Sequence, residues 1–141
     1  MDGLRCARGR GPLFGVHLEL FADQRVLIVP GGIGIAPPQR RAGVYVVGGS
    51  CAYPLRTADP TGVVLVEEGT MATLGSLFAL WGQPLSRTAL AGFRGRVAAF
   101  LNGRAWRAAP QQIPLKRHAE LVLEVGGDVL PHPSYRFPPG L

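Results

Sequence analysis

Lysine is nearly absent from this chain. Fourteen of its fifteen basic residues are Arg and only Lys116 is Lys, against nine acidic residues, for a formal charge of +6. The arginines are spread from Arg5 to Arg136 without a dense block, and no RNA-recognition, zinc-finger or helix-turn-helix pattern accompanies them. With the high Ala, Gly and Pro content, this skew reads as the codon bias of a GC-rich genome. Weak nonspecific attraction to polyanions is expected, not specific nucleic-acid binding. Two cysteines, Cys6 and Cys51, are too few for a disulfide framework. No apolar run approaches the roughly 18 residues of a membrane span, and the opening residues lack the apolar stretch of a signal peptide. The G-x-S-x-G, P-loop and H-E-x-x-H patterns are missing. Pro30-Gly31-Gly32-Ile33-Gly34-Ile35 is glycine-rich but lacks G-x-G-x-x-G spacing. Histidine occurs only at 17, 118 and 132, so no H-x-H pair exists.

What remains is a chain of 141 residues, 47% hydrophobic and 17% charged, which places it well outside the disordered regime. One domain of this size can bury about two-thirds of its unfolded surface and needs no staples. Residues 1–12 are Gly/Arg-rich and read as a disordered leader. Residues 13–141 read as a single globular α+β domain, with a Pro-rich tail over 130–141 running extended across the surface.

Hydrophobic alternation predicts the elements. Val16, Leu18 and Leu20 alternate with His17, Glu19 and Phe21, Ala22-Asp23-Gln24 can turn, and Arg25 to Val29 forms a second β-rich run. Pro37 to Arg41 reads as a loop, Val44 to Val47 as a short strand, and Val63 to Glu68 as another. Adjacent Glu67 and Glu68 would face opposite sides of that strand, which makes them a poor acid/base dyad. Leu74, Leu77, Phe78 and Trp81 fall at helical spacing, with Thr70 or Thr73 as cap and Gly82 and Pro84 as stops, so the main helix is expected at about 73–81. Asn102-Gly103 is a strong hairpin signal between Arg96–Leu101 and Arg104–Trp106. Leu121 to Val125 is the last strand.

Three segments carry a resemblance. They are Phe14-Gly15-Val16-His17-Leu18, Cys51-Ala-Tyr-Pro-Leu-Arg56-Thr-Ala58-Asp59, and Thr73-Leu74-Gly75-Ser76-Leu77-Phe78-Ala79-Leu80-Trp81-Gly82. Together they resemble an uncharacterised bacterial family, mostly secreted or membrane-anchored, with H-x-H-x-H-L and L-H-T-H-D motifs. Against those motifs Leu13 and Gly15 stand where histidines would, His17 remains, and Arg56 and Ala58 replace the second pair. The resemblance implies a zinc- or copper-type site in relatives, degenerate here. The C-terminal part, F-L-N-G-R…I-P-L-K-x-x-x-E-L-V-L-E-V, resembles small sulfur-carrier and other ubiquitin-like domains. The fold expected is a β-grasp-like mixed sheet built from two hairpins with one main helix packed on it. A carrier role is not expected, since the ending is Pro139-Gly140-Leu141 and not Gly-Gly.

Arg cannot ligate a metal, and its planar fork suits carboxylates or phosphates. The candidate ligand-binding set is therefore His17, Cys51, Tyr53, Arg56 and Asp59 around one small pocket, with no metal and no cofactor. The competing reading is that Arg56 pairs with Asp59 to pin a loop. Cys51 reads as a buried inert thiol in preference to a nucleophile activated by His17 or Arg56. Three functions follow: a non-catalytic accessory domain binding a small, anionic organic ligand or a protein partner; a small cofactor-free cyclase or isomerase; and a metal protein using His17, Cys51, Asp59 and a distant histidine, His118 or His132. A cytoplasmic location and a capacity for homo-oligomerisation through hairpin edges are also expected.

Overall fold

The computed structural model describes residues 4–8 and 11–141. In chain order the elements are β1 (Leu13–Ala22), β2 (Arg25–Leu27), β3 (Arg40–Ala42), β4 (Tyr45–Gly48), β5 (Leu55–Arg56), β6 (Val63–Glu67) and α1 (Leu74–Trp81). They continue with β7 (Leu85–Ser86), β8 (Ala89–Leu90), β9 (Phe93–Arg94), β10 (Val97–Leu101), β11 (Arg104–Trp106), a 3-10 turn at Pro110–Gln112, and β12 (Glu120–Val125). The fold is mixed α and β, with one helix and a mixed seven-stranded sheet among the described residues. No helix among them is long and apolar enough to cross a membrane.

Strand β1 is the spine of the sheet. Its Phe14, Val16, Leu18, Leu20 and Ala22 all point into one core, as the period of two requires. One edge of β1 pairs in parallel with β12. Its other edge is shared, with β6 along the first half and β2 along the second, both antiparallel. β10 and β11 extend the sheet beyond β12, and β5 extends it beyond β6, giving the path β11-β10-β12-β1-β6-β5 with β2 beside β1.

Both hairpins turn on two residues with positive φ, Asp23 and Gln24 (50° and 66°) and Asn102 and Gly103 (53° and 82°). That is the geometry a two-residue hairpin loop selects, because its twist matches the strands. The helix starts where its cap dictates. The Thr73 side chain accepts from the Ser76 amide, Ser76 returns a bond to the Thr73 amide, and Gly82 ends the helix in the left-handed conformation at φ 76°. Leu74, Leu77 and Phe78 bury the inner stripe in the core formed with β1, β6 and β12. Each such side chain stabilises the fold by about 1.5–3 kcal/mol.

Several sequence expectations shift. Arg40 and Arg41 are not loop residues; they open β3, which pairs with β4 in a separate two-stranded sheet. The expected run from Arg25 to Val29 pairs only through Leu27, and Pro30 follows shortly after. Residues 85–94, unassigned by periodicity, form a three-stranded meander (β7, β8, β9) whose strands are two residues long, too short to show alternation. The sheet thus contains β5 and β6 in addition to the two hairpins and the final strand. In the expected leader, residues 4–8 are tied to the body by an antiparallel bridge between Ala7 and Ala52 and a disulfide from Cys6 to Cys51. The remainder of that segment at 1–3 and 9–10 lies outside the described residues. The tail over 130–141 contains no helix or strand and lies against the sheet through its aromatic side chains.

Candidate functional site

Because Phe14, Val16, Leu18 and Leu20 face the core, Leu13, Gly15, His17 and Glu19 face the opposite, outer side of the sheet. Register carries this side across the neighbouring strands. His17 lies opposite Glu120 on β12 and Val63 on β6, Gly15 lies opposite Leu65, and Arg56 on β5 lies beside Leu65. Positions 13, 15, 17 and 56 therefore share one face. His17 and Arg56 are two strands apart on it, roughly 10 Å across the sheet.

A hydrogen-bonded chain runs through His17. Its Nδ1 lies 3.0 Å from each carboxylate oxygen of Glu120, and its Nε2 lies 3.1 Å from the Thr61 carbonyl. A carbonyl only accepts, so Nε2 carries a hydrogen and Nδ1 is the atom turned to the carboxylate. Thr61 is itself held by Asp59, whose Oδ1 accepts from the Thr61 amide at 3.2 Å and from its hydroxyl. Burial pushes the Glu120 carboxyl above its ordinary range, partly offset by the hydrogen bond and charge of His17. Glu124, further along the same side of β12, is raised by burial too, against an opposing hydrogen bond from the Val129 amide at 3.0 Å.

The tail covers this cluster. Tyr135 stacks on the His17 ring at 3.5 Å between centroids, nearly parallel at 8°. Phe137 stacks on His118 at 4.6 Å, and His118 Nε2 meets the Leu141 carbonyl oxygen. Phe137 also fills the place of a side chain at residue 15, since a Cβ there would lie 2.6 Å from its ring. His132 Nδ1 reaches Glu19 at 2.8 Å, and this contact raises the His132 pKa.

Arg56 stands at the other end of the face. Its Nη1 donates to the Tyr53 carbonyl at 2.7 Å and to Glu67 Oε2 at 2.9 Å, with the two side chains only 13% and 19% exposed. The expected Arg56–Asp59 clamp is therefore replaced by an Arg56–Glu67 pair between adjacent strands, while Asp59 serves Thr61. Beside Arg56, under the β3–β4 hairpin, opens a cleft of about 860 Å³. Arg8, Arg40, Tyr45, Ser50, Arg56 and Ala58 are among its lining residues, and no carboxylate is among the described ones. Gly48 lets the Arg40 guanidinium lie across the hairpin, because a Cβ there would land on it. A smaller hollow of about 350 Å³ between residues 30–36, Tyr53 and the helix end at Leu80 and Trp81 has no charged residue in its lining.

The five residues singled out by sequence thus divide between sites. Cys51 and Arg56 line the arginine cleft, Tyr53 lines the smaller hollow, and Asp59 and His17 belong to the hydrogen-bonded chain. Cys51 carries no thiol, because it is bonded to Cys6 across a Cα separation of 5.3 Å. Nucleophilic and metal-ligating roles for it fall away with the thiol. Sequence reading finds no role for Glu19, Glu120 or Tyr135, treats Glu67 only as half of a poor dyad, and offers His132 only as a distant histidine. A signal existed for Glu120 and Glu124, since carboxylates alternating with Leu121 and Leu123 mark a strand whose second face is polar. Nothing in the sequence linked His132 to Glu19, 113 residues away. The chain matches no protein-family model, no curated protein and no solved structure.

Proposed function

We propose that this chain is a non-catalytic binding domain whose arginine cleft takes a small organic anion. The observation that carries the reading is the convergence of Arg8, Arg40 and Arg56 on one cleft with no carboxylate among its described lining residues. Guanidinium forks bind carboxylate and phosphate with charge-assisted, bidentate hydrogen bonds. The cleft has the volume of an ordinary small-molecule site. The Glu67 and Tyr53 contacts, both made by Nη1, hold the Arg56 guanidinium in place, which lowers the entropy lost on binding.

The resemblance to the histidine-rich bacterial family fits this reading. Leu13, Gly15 and Arg56 occupy the face on which the motif histidines would converge, and Phe137 fills the room beside Gly15. The relatives' metal site is thereby remodelled into an aromatic seat and an arginine cleft. A β-grasp-like core is supported by the order hairpin β1–β2, helix α1, hairpin β10–β11 and final strand β12 parallel to β1, with β5 and β6 as additions. The Cys6–Cys51 disulfide favours an oxidising compartment over the cytoplasm, where thiols are kept reduced.

Isothermal titration with citrate and with inorganic phosphate tests the binding reading. Saturable binding of at least one is expected, weakened about ten-fold or more by Arg40→Ala, since a hydrogen bond to a charged group contributes about 1.5–3 kcal/mol. Thermal stability should be unchanged, because Arg40 is exposed. Absence of saturable heat with both anions, or equal affinity in the variant, refutes the reading.

A further inference from the structure

A second polar cluster, under the tail, involves side chains the arginine cleft does not use. The ligand atoms of His17, Glu19 and Glu120 all lie within 4.8 Å of one another. Two of these residues sit two apart on β1, and the third faces His17 from the parallel strand β12, so the backbone fixes their convergence. A fourth donor stands beside this set on the tail: His132 Nδ1 lies 2.8 Å from Glu19 Oε2, in contact with that carboxylate and not among the three mutually close ligand atoms. Sequence alone offers a metal set of His17, Cys51, Asp59 and a distant His, or a set of the three histidines; Cys51 and Asp59 have other partners.

A separate feature points the same way. The Nε2–H of His17 is given to the Thr61 carbonyl, and Thr61 is held by Asp59. Imidazoles that bind metals almost always donate their second ring N–H to such an acceptor, which fixes the tautomer and aims the other nitrogen at the ion. Here the aimed nitrogen is Nδ1, and it faces the Glu120 carboxylate. Once zinc displaces the proton shared by His17 and Glu120 into solvent, two neutral imidazoles and two carboxylates make a four-donor N/O set whose charge balances a divalent ion, and such a set suits zinc. Tyr135, stacked on His17, shields one side of the cluster from water.

We propose that His17, Glu19 and Glu120 form a zinc site, with His132 drawn in from the C-terminal segment as the fourth donor. This site is distinct from the anion cleft, and each can fail without the other. Its donors differ from the motif histidines, of which this chain keeps only His17. Asp59 is a positioning residue for it, acting through Thr61.

The test is titration of the full-length, tag-free protein with zinc chloride after exhaustive dialysis against chelator, followed calorimetrically. One ion per chain is expected to bind, and Glu19→Gln and His132→Gln should each weaken binding about ten-fold or more. Glu68→Gln, which alters an exposed carboxylate outside the cluster, should leave the affinity unchanged. Glu19 and His132 are not core residues, so circular dichroism should show both variants folded. Zinc binding should also slow tryptic cleavage after the exposed Arg136, because the ion ties the tail to β1. No binding at about 100 μM zinc, a hundred-fold above a micromolar affinity, overturns the site, as does unaltered affinity in either Glu19→Gln or His132→Gln.

Discussion

His17 and Glu120 face each other across the parallel pair β1–β12, with Nδ1 equidistant, at 3.0 Å, from both carboxylate oxygens. Both side chains are buried, and the other imidazole nitrogen is committed to the Thr61 carbonyl. The Nδ1–carboxylate contact must therefore hold one proton, whether as imidazolium with carboxylate or imidazole with carboxylic acid. Either arrangement is neutral as a pair, which is what allows it to sit beneath Tyr135 in the sheet.

Removing one partner exposes the cost of burying the other. Glu120→Ala should destabilise the fold by about 1–3 kcal/mol, because it leaves a buried imidazole nitrogen unsatisfied. Glu120→Gln should cost less, since its amide can donate to Nδ1 while Nε2–H stays on Thr61. Urea denaturation of the metal-free variants gives the comparison. Equal losses for Ala and Gln would contradict the pairing.

Gly15 is a seat for the tail. Gly15→Ala places a Cβ 2.6 Å from the Phe137 ring, so the ring or the strand must shift, at about 1–3 kcal/mol. In a Phe137→Ala background the same substitution should be nearly neutral, and a double-mutant cycle measures the coupling. Additive effects would mean that the tail does not rest there.

Glu124 gives a pH dependence of definite sign. Its folded pKa is raised above the ordinary 4.5 by burial. The stability it contributes is fully present below about 4.5 and is lost as pH rises through the folded value. Glu124→Gln removes that loss and can still accept from the Val129 amide. Its melting temperature should match the parent's near pH 4, exceed it as pH rises through the folded value, and keep a steady excess above that. An offset already present near pH 4 and constant above it would contradict the assignment.

The disulfide closes a loop of 45 residues, for which chain entropy gives about 4 kcal/mol as an upper figure. Cys51→Ala, paired with Cys6→Ala, should lower stability by about 2–4 kcal/mol and release the segment around Ala7 to proteolysis. Thiol titration of the denatured, unreduced parent should find no free cysteine.

How much of this was legible in the sequence depended on contact range. Local signals sufficed for the Thr73-capped helix, the Asn102-Gly103 turn and the alternation of β1, since each is set by neighbours within a few residues. The meander over 85–94 escaped because strands of two residues leave no period to detect. The local motif makes Asp59 the natural partner for Arg56, three residues away. The fold instead brings Glu67 to Arg56 by pairing β5 with β6, and Glu120 to His17 by pairing the first long strand with the last. Cys6 and Cys51 looked unrelated for the same reason, until Ala7 bridged to Ala52.

The central claim is that the outer face binds a small anion between Arg8, Arg40 and Arg56. Amide and arginine side-chain NMR shifts during titration with citrate test it most directly. Saturating shifts confined to Arg8, Arg40, Ser50, Arg56 and their neighbours are predicted. Linear, unsaturating shifts scattered over Arg87, Arg94, Arg104 and Arg107 would contradict it, reducing the cleft to one basic patch among several.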